Sequence, residues 1–224
     1  MKKIIRSVQL AALVLTVLSI SGFAQQVKRT PFDVTNYVMD VSLLPAERRI
    51  NATVDVAFTP LEDTRSISFE LNGSLKIDSI VRLGSSITQI AASPKPGVKA
   101  TPKPTATPQS GITFVQDQAG VSDIGPSVRI DLGDTVVKGT PVVLRFKYSG
   151  ILETPAGGPL LNKRLAYIGD SQGYLMYAAR WFPFHDYAAD RATSDITITL
   201  PQGLQLVGYS DQPIAAAGNK FRFV

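Results

Sequence analysis

The chain has no cysteine, one histidine and one tryptophan. Without cysteine there are no disulfides, no thiol nucleophile and no thiolate metal site. Stability must then come from packing, and the length suffices for one large domain or two small ones. A single histidine excludes metal motifs that need two, His-Glu-x-x-His among them. No Gly-x-Ser-x-Gly elbow accompanies that histidine, so a hydrolase triad has no support. Gly157-Gly158 and Gly169-Asp170 fit no phosphate loop and read as turns. Long apolar runs are confined to the beginning of the chain, and no later segment is apolar enough to span a bilayer.

That beginning has the form of a leader. Lys2, Lys3 and Arg6 precede a run from Val8 to Ile20 that is apolar or small apart from Gln9. Ser21-Gly22-Phe23-Ala24 then supplies small residues before Gln25. The pattern predicts a secretory signal peptide over residues 1–24, cleaved after Ala24, with export to the periplasm or the cell exterior. The alternative is an uncleaved anchor, for which the run is short. No Cys follows it, so a lipoprotein anchor is excluded. The formal charge of +5 falls to about +2, because the three basic residues leave with the leader and no acid does. The high isoelectric point therefore gives no argument for a nucleic-acid partner.

The rest, residues 25–224, reads as strand after strand. Tyr37 to Leu43 alternates with period two. In Ile50 to Phe58 the apolar set Ile50, Ala52, Val54, Val56 and Phe58 points one way, while Asn51, Thr53 and Asp55 point the other. Pro45-Ala46-Glu47-Arg48 is the turn between them. Ile67 to Leu71 is a third strand, and Asn72-Gly73 after it is a hairpin-type signal, since both residues tolerate positive φ. Further strands are expected over Leu75 to Leu83, Ile112 to Gln116, Val128 to Leu132, Val142 to Tyr148, Asp195 to Leu200 and Leu204 to Tyr209. Short ones are expected at Ala166 to Ile168 and Tyr174 to Tyr177. Phe221-Arg222-Phe223-Val224 reads as the opening of one more strand, from which a chain cut short of a longer protein is expected. Turns are read at Gly125-Pro126 and over Thr154 to Pro159. Ser93 to Ser110 has five prolines, no aromatic and no acid. It is expected to be an exposed, disordered Pro/Thr-rich loop inserted between strands, with a domain linker as the alternative. No amphipathic helix is expected. The fold class is all-β, an antiparallel sandwich or a saddle-like set of bent sheets.

Chemistry-bearing residues gather between Arg180 and Gly203. This stretch holds the only Trp and the only His, two prolines and several acids. His185 with Asp186 and Asp190 is a candidate metal or proton-transfer site; zinc requires at least three protein ligands in fixed geometry. The other reading is a histidine hydrogen-bonded at a loop beside a buried Trp. Tyr167, Tyr174, Tyr177, Trp181, Phe182, Phe184 and Tyr187 form an aromatic cluster. Exposed, it could stack on sugar rings and serve a secreted β-sandwich module that binds glycan or peptide; buried, it is core and interface. Asn51-Ala52-Thr53 matches a glycosylation sequon but sits in strand patterning.

The stretch resembles the end of the N-terminal β-domain of aminopeptidase N-like (gluzincin, membrane alanyl aminopeptidase) zinc metallopeptidases. Trp181-Phe182-Pro183 is similar to that family's Trp-Phe-Pro. Asp186 stands at its Asp, Asp190-Arg191-Ala192 at its Asp-Lys-Ala, and Pro201-Gln202-Gly203 at the Pro-x-Gly that ends the strand. The opening pair Tyr37–Leu43 and Arg49–Val54 and the strand Leu75–Ile80 resemble the family's first strands. Ala188 departs from the usual Pro, and Tyr177-Ala178-Ala179-Arg180 departs from the usual Gln-x-Glu. The resemblance implies a non-catalytic domain. Trp181, Pro183, Asp186, Asp190 and Arg191 would be structural at its domain interface, and its partner would be a catalytic metallopeptidase domain of a longer chain. It implies no cofactor here, because zinc belongs to the catalytic domain. The Gly-x-Met-Glu-Asn exopeptidase motif is also absent from this sequence.

Overall fold

The structure is a computed structural model that describes residues 31–84, 111–117, 127–153, 164–185 and 191–224. The expected signal peptide, the loop 93–110, the turns at 125–126 and 154–159, and Asp186, Tyr187, Ala188 and Asp190 lie outside the described residues. Among the described residues the regular structure is β1 (Phe32–Leu44), β2 (Arg49–Pro60), β3 (Thr64–Glu70), β4 (Leu75–Leu83), β5 (Thr113–Gln116), β6 (Ser127–Val136), β7 (Val142–Ile151), β8 (Ala166–Ile168), β9 (Gly173–Leu175), β10 (Thr193–Thr199), β11 (Ala215–Ala217) and β12 (Lys220–Phe223), with short 3-10 turns at Pro45–Glu47 and Ala178–Arg180. The all-β expectation holds.

A seven-stranded sheet runs in the order β11-β12-β10-β1-β2-β7-β4, a three-stranded sheet in the order β3-β6-β5, and β8 pairs with β9. The period-two pattern explains the large sheet. Ile50, Val54, Val56 and Phe58 of β2 are all buried, as are Val34, Tyr37, Met39 and Val41 of β1 and Leu144, Phe146 and Tyr148 of β7. The opposite face of the same strands carries polar pairs. Arg145 lies directly across from Asp55, and its guanidinium donates to both carboxylate oxygens at 2.6 Å. That hydrogen bond holds the Arg145 guanidinium above its ordinary pKa.

The three-stranded sheet closes over the apolar face. Phe69 of β3 is the contact between layers: its ring centroid is 5.2 Å from Phe32, 6.2 Å from Phe58 and 5.4 Å from Phe146. These tilted and edge-on pairs suit the ring quadrupoles, each adding about 0.5–1.5 kcal/mol beyond area burial.

Five details differ from the pattern reading. Asn72-Gly73 does not turn a hairpin, because β3 pairs with β6 in one sheet and β4 pairs with β7 in the other. It makes a corner between layers. The large sheet is mixed, since β10 runs parallel to β1 from Asn36↔Thr193 to Ser42↔Thr199. A parallel neighbour needs a crossover, and here the chain through 178–185 supplies one. Leu204 to Tyr209 has strand-like composition but pairs with nothing among the described residues. The Tyr174–Tyr177 strand is instead Gly173–Leu175, with Tyr177 leading into the second 3-10 turn. The three alanines of β11 carry no strand signal of their own. They are held by the turn to β12, where Gly218 takes φ +63°, the first central position of a II′ hairpin.

Phe146→Ala deletes a fully buried ring opposite Phe69 and is expected to cost about 3–5 kcal/mol. The neighbouring exposed Lys147→Ala should stay within about 0.5 kcal/mol. Urea unfolding monitored by Trp181 fluorescence reads both, and equal midpoints would remove Phe69–Phe146 from the core's centre.

Candidate functional site

Residues 178–185 cross the interior without joining a sheet, so their main-chain groups need partners. The partners come from the corner after β3. The Asn72 N–H donates to Ala179 O at 2.8 Å, and Asn72 Nδ2 donates to Arg180 O at 3.3 Å and to Glu153 O at 2.8 Å. Asn72 Oδ1 accepts from the Ser74 N–H and hydroxyl at 3.1 and 3.0 Å. One buried amide thus ties the corner, the end of β7 and the 3-10 turn together. Next along the chain, the Tyr148 hydroxyl donates to Trp181 O at 2.7 Å. Then Glu70 and Phe184 exchange both main-chain hydrogen bonds, at 2.8 and 2.9 Å. Pro183 lies between these contacts, and having no N–H it leaves no donor to satisfy.

The side chains of this segment form a wall. Trp181 and Phe182 are 7% and 9% exposed, with ring centroids 4.6 Å apart and planes nearly perpendicular. Phe182 also meets Tyr37 edge-on at 5.2 Å and Phe184 at 5.8 Å. The His185 ring lies 3.8 Å from that of Phe32, tilted by 31°. Arg180 is buried, its guanidinium 5.8 Å from the Tyr177 ring centroid. A cavity lies to each side. One, of about 510 Å³, is lined by Trp181, Phe223, Ile198, Tyr174 and residues 204–209. The other, of about 370 Å³, is lined by Phe182, His185, Arg191, Ser194, Met39 and Val34.

Of the sequence-predicted residues, Trp181 and Pro183 are buried in this wall, while Arg191 is exposed at the rim of the smaller cavity. His185 is half-buried and stacked on Phe32; Asp186 and Asp190, its suggested acidic companions, lie outside the described residues. Among the described residues no group of three or more His, Cys, Asp and Glu side chains could hold a metal ion. The lone His cannot supply the two imidazoles of a gluzincin zinc site, so the donor set of this chain does not fit that metal. The burial of Trp181 and Phe182 leaves them no face for a sugar ring. Tyr167 and Tyr174, at 6.0 Å and 44°, do not form a flat platform. Asn72 and Tyr148, which position the segment, were hidden from sequence reasoning. The only available signal was an Asn-Gly flanked by the apolar Leu71 and Leu75.

Asn72→Ala would strand the Arg180 and Glu153 carbonyls and the Ser74 N–H, a loss of about 2 kcal/mol or more. Trp181 fluorescence should shift before global unfolding; an unchanged spectrum and midpoint would show that the amide is dispensable. Tyr148 supplies a pH test. Burial pushes its phenol well above the ordinary value. Its proton is therefore kept in the folded state and lost from the unfolded chain above about pH 10, so this contribution to stability is intact below that pH and falls as pH rises. Tyr148→Phe should lose about 1–2 kcal/mol at neutral pH, where Trp181 O loses its donor, and should flatten the alkaline fall. Urea midpoints at neutral and alkaline pH check this, and an unaltered alkaline slope would contradict it.

No family model and no curated protein matches the chain by sequence. Solved structures match its fold. An M1 zinc metallopeptidase from Deinococcus radiodurans, bound to a Tyr-Ser-Ala substrate, is similar at 16% identity and TM-score 0.56 over 86% of this chain and 38% of its own. A two-domain M1 zinc metallopeptidase bound to L-tryptophan gives 16% identity and TM-score 0.57 over 88% of this chain and 40% of its own. Yeast LTA4 hydrolase bound to bestatin gives 13% and 0.52 over 93% of this chain and 30% of its own. The chain therefore spans well under half the length of the proteins whose fold it shares, and the shared fold is that of a β-domain in M1 zinc metallopeptidases.

Proposed function

We propose that this chain is the N-terminal β-domain of an exported aminopeptidase N-like zinc metallopeptidase. It is non-catalytic; it caps the catalytic domain and walls one side of the substrate cleft. One observation carries this reading: the fold match takes in 86% of this chain but only 38% of the M1 metallopeptidase bound to Tyr-Ser-Ala. The Trp181-Phe182-Pro183 and Pro201-Gln202-Gly203 motifs support it. So does the single histidine, which leaves zinc chemistry to another domain. In this reading the wall from Ala178 to His185 is a structural edge rather than a reaction centre. Asn72, Tyr148 and Glu70 hold it rigid, as a cleft wall must be to position a peptide. The leader over residues 1–24 directs export, and the partners are the catalytic domain and, across the cleft, peptide.

The coding sequence after Val224 tests the reading most directly. An open frame containing His-Glu-x-x-His is expected, and an immediate stop with no such frame would sink it. The 224-residue chain itself should leave aminoacyl anilides intact and bind no stoichiometric zinc. One zinc per chain by elemental analysis would overturn the assignment of the metal to another domain.

A further inference from the structure

Residues 204–209 combine two properties that rarely coexist. Their composition, Leu-Gln-Leu-Val-Gly-Tyr, is that of a strand, yet among the described residues their main chain has no hydrogen-bonded partner. Contacts with the core fall two residues apart, at Leu206 and Gly208, while Leu204 is exposed. Leu206 packs against the core, and Gly208 lies so close to Phe223 that a Cβ there would meet its ring at 2.7 Å. Val207 and Tyr209 are each 89% exposed, at the rim of the cavity that residues 204–209 line.

Both ends are fixed. Before the segment, Leu200 and Asn219 exchange hydrogen bonds: the Leu200 N–H donates to Asn219 O at 3.0 Å, and Asn219 Nδ2 donates to Leu200 O at 2.8 Å. After it, the Ser210 hydroxyl donates to Val224 O at 2.8 Å and accepts from the Val224 N–H at 2.9 Å. The segment is a strap held at both ends beside the 510 Å³ cavity, with the exposed Met176 on the same rim.

We propose that this strap is a docking edge that receives an extended, apolar segment of the catalytic domain. Main-chain pairing would run along 204–209, and Val207 and Tyr209 would be covered. The inference rests on the reading above, that a catalytic domain accompanies this one. Three features favour that occupant. The strap's main chain, with no hydrogen-bonded partner among the described residues, offers the same N–H and C=O groups that β-augmentation engages at a sheet edge. A contiguous exposed apolar rim beside an apolar cavity marks an interaction surface. And the M1 chains with this fold are long enough to supply the partner, since this fold fills only 38–40% of them. The outer strand β4, by contrast, guards its edge with Lys76, Asp78 and Arg82, charges that discourage pairing.

The absence of cysteine gives a clean test. Val207→Cys and, as an independent variant, Tyr209→Cys place a single thiol on the strap; Asp78→Cys on β4 is the control. In the 224-residue chain all three should react with a maleimide at the rate of a free cysteine peptide. In the longer chain read on from the same gene, both strap thiols should react at least about tenfold more slowly, the control should not change, and the amides of 205–209 should gain hydrogen-exchange protection. Equal labelling in a longer chain that is an active peptidase overturns the docking edge and leaves the domain assignment standing. Absence of any following catalytic domain overturns both. Strap labelling that slows in the 224-residue chain as its concentration rises assigns the strap to a second copy of this chain and likewise overturns the proposal.

Discussion

The fold depends on how a segment that belongs to no sheet is satisfied inside the protein. From Ala178 to Phe184 the chain crosses between the β8–β9 hairpin and β10, and it must do so to lay β10 parallel to β1. Each buried carbonyl or N–H on that path costs about 1–3 kcal/mol if left without a partner. Asn72, Tyr148 and the main chain of Glu70 answer four of those carbonyls and one N–H, and Pro183 removes another N–H from the account. Because Asn72 stands where β3 leaves one layer and β4 enters the other, the same residue joins the layers and seats the crossover.

Magnitudes separate what places the segment from what packs it. The aromatic contacts of Trp181, Phe182 and Phe184 are worth about 0.5–1.5 kcal/mol each beyond burial and tolerate several geometries. The hydrogen bonds tolerate one, since a shift of a residue in either direction would remove all the partners together. Polar groups therefore fix the register of the wall, and the rings, with Phe69 at their centre, fill the space it defines. His185 follows from this. It is held by stacking on Phe32, a neighbour of Phe69.

What the sequence made legible was what local pattern controls. β2 is evident from Ile50 to Phe58 because alternation, burial and pairing on both sides agree. The corner at Asn72-Gly73 was misread because turn chemistry reports a change of direction and not the sheet that the chain enters next. β11 was missed because three alanines carry no pattern; the II′ turn at Gly218 imposes the pairing instead. At the site, the resemblance carried by Trp181-Phe182-Pro183 implied a structural role, and the structure places both Trp181 and Pro183 in the interior. The residues that hold it, Asn72 and Tyr148, lie more than thirty positions away (|i−j| of 108 from Asn72 to Arg180 and 33 from Tyr148 to Trp181), beyond the reach of any window.

The strap at 204–209 is the opposite case, where local pattern is strong and the fold does not use it. Disagreement between levels of this kind concentrates at functional positions. Exposing Val207 and Tyr209 costs nothing relative to the unfolded chain, because both are in water either way. Covering them would gain about 1.5–3 kcal/mol for each side chain, before the costs of association. A free partner must meet those costs, in lost translational and rotational freedom, from this modest gain. A domain on the same chain has met most of them through the covalent link. The strap is thus poorly suited to capturing a protein from solution and well suited to seating a neighbour that is already tethered. On the proposal made above, the strand that Leu204 to Tyr209 encodes would be one half of a pairing, completed by a tethered domain.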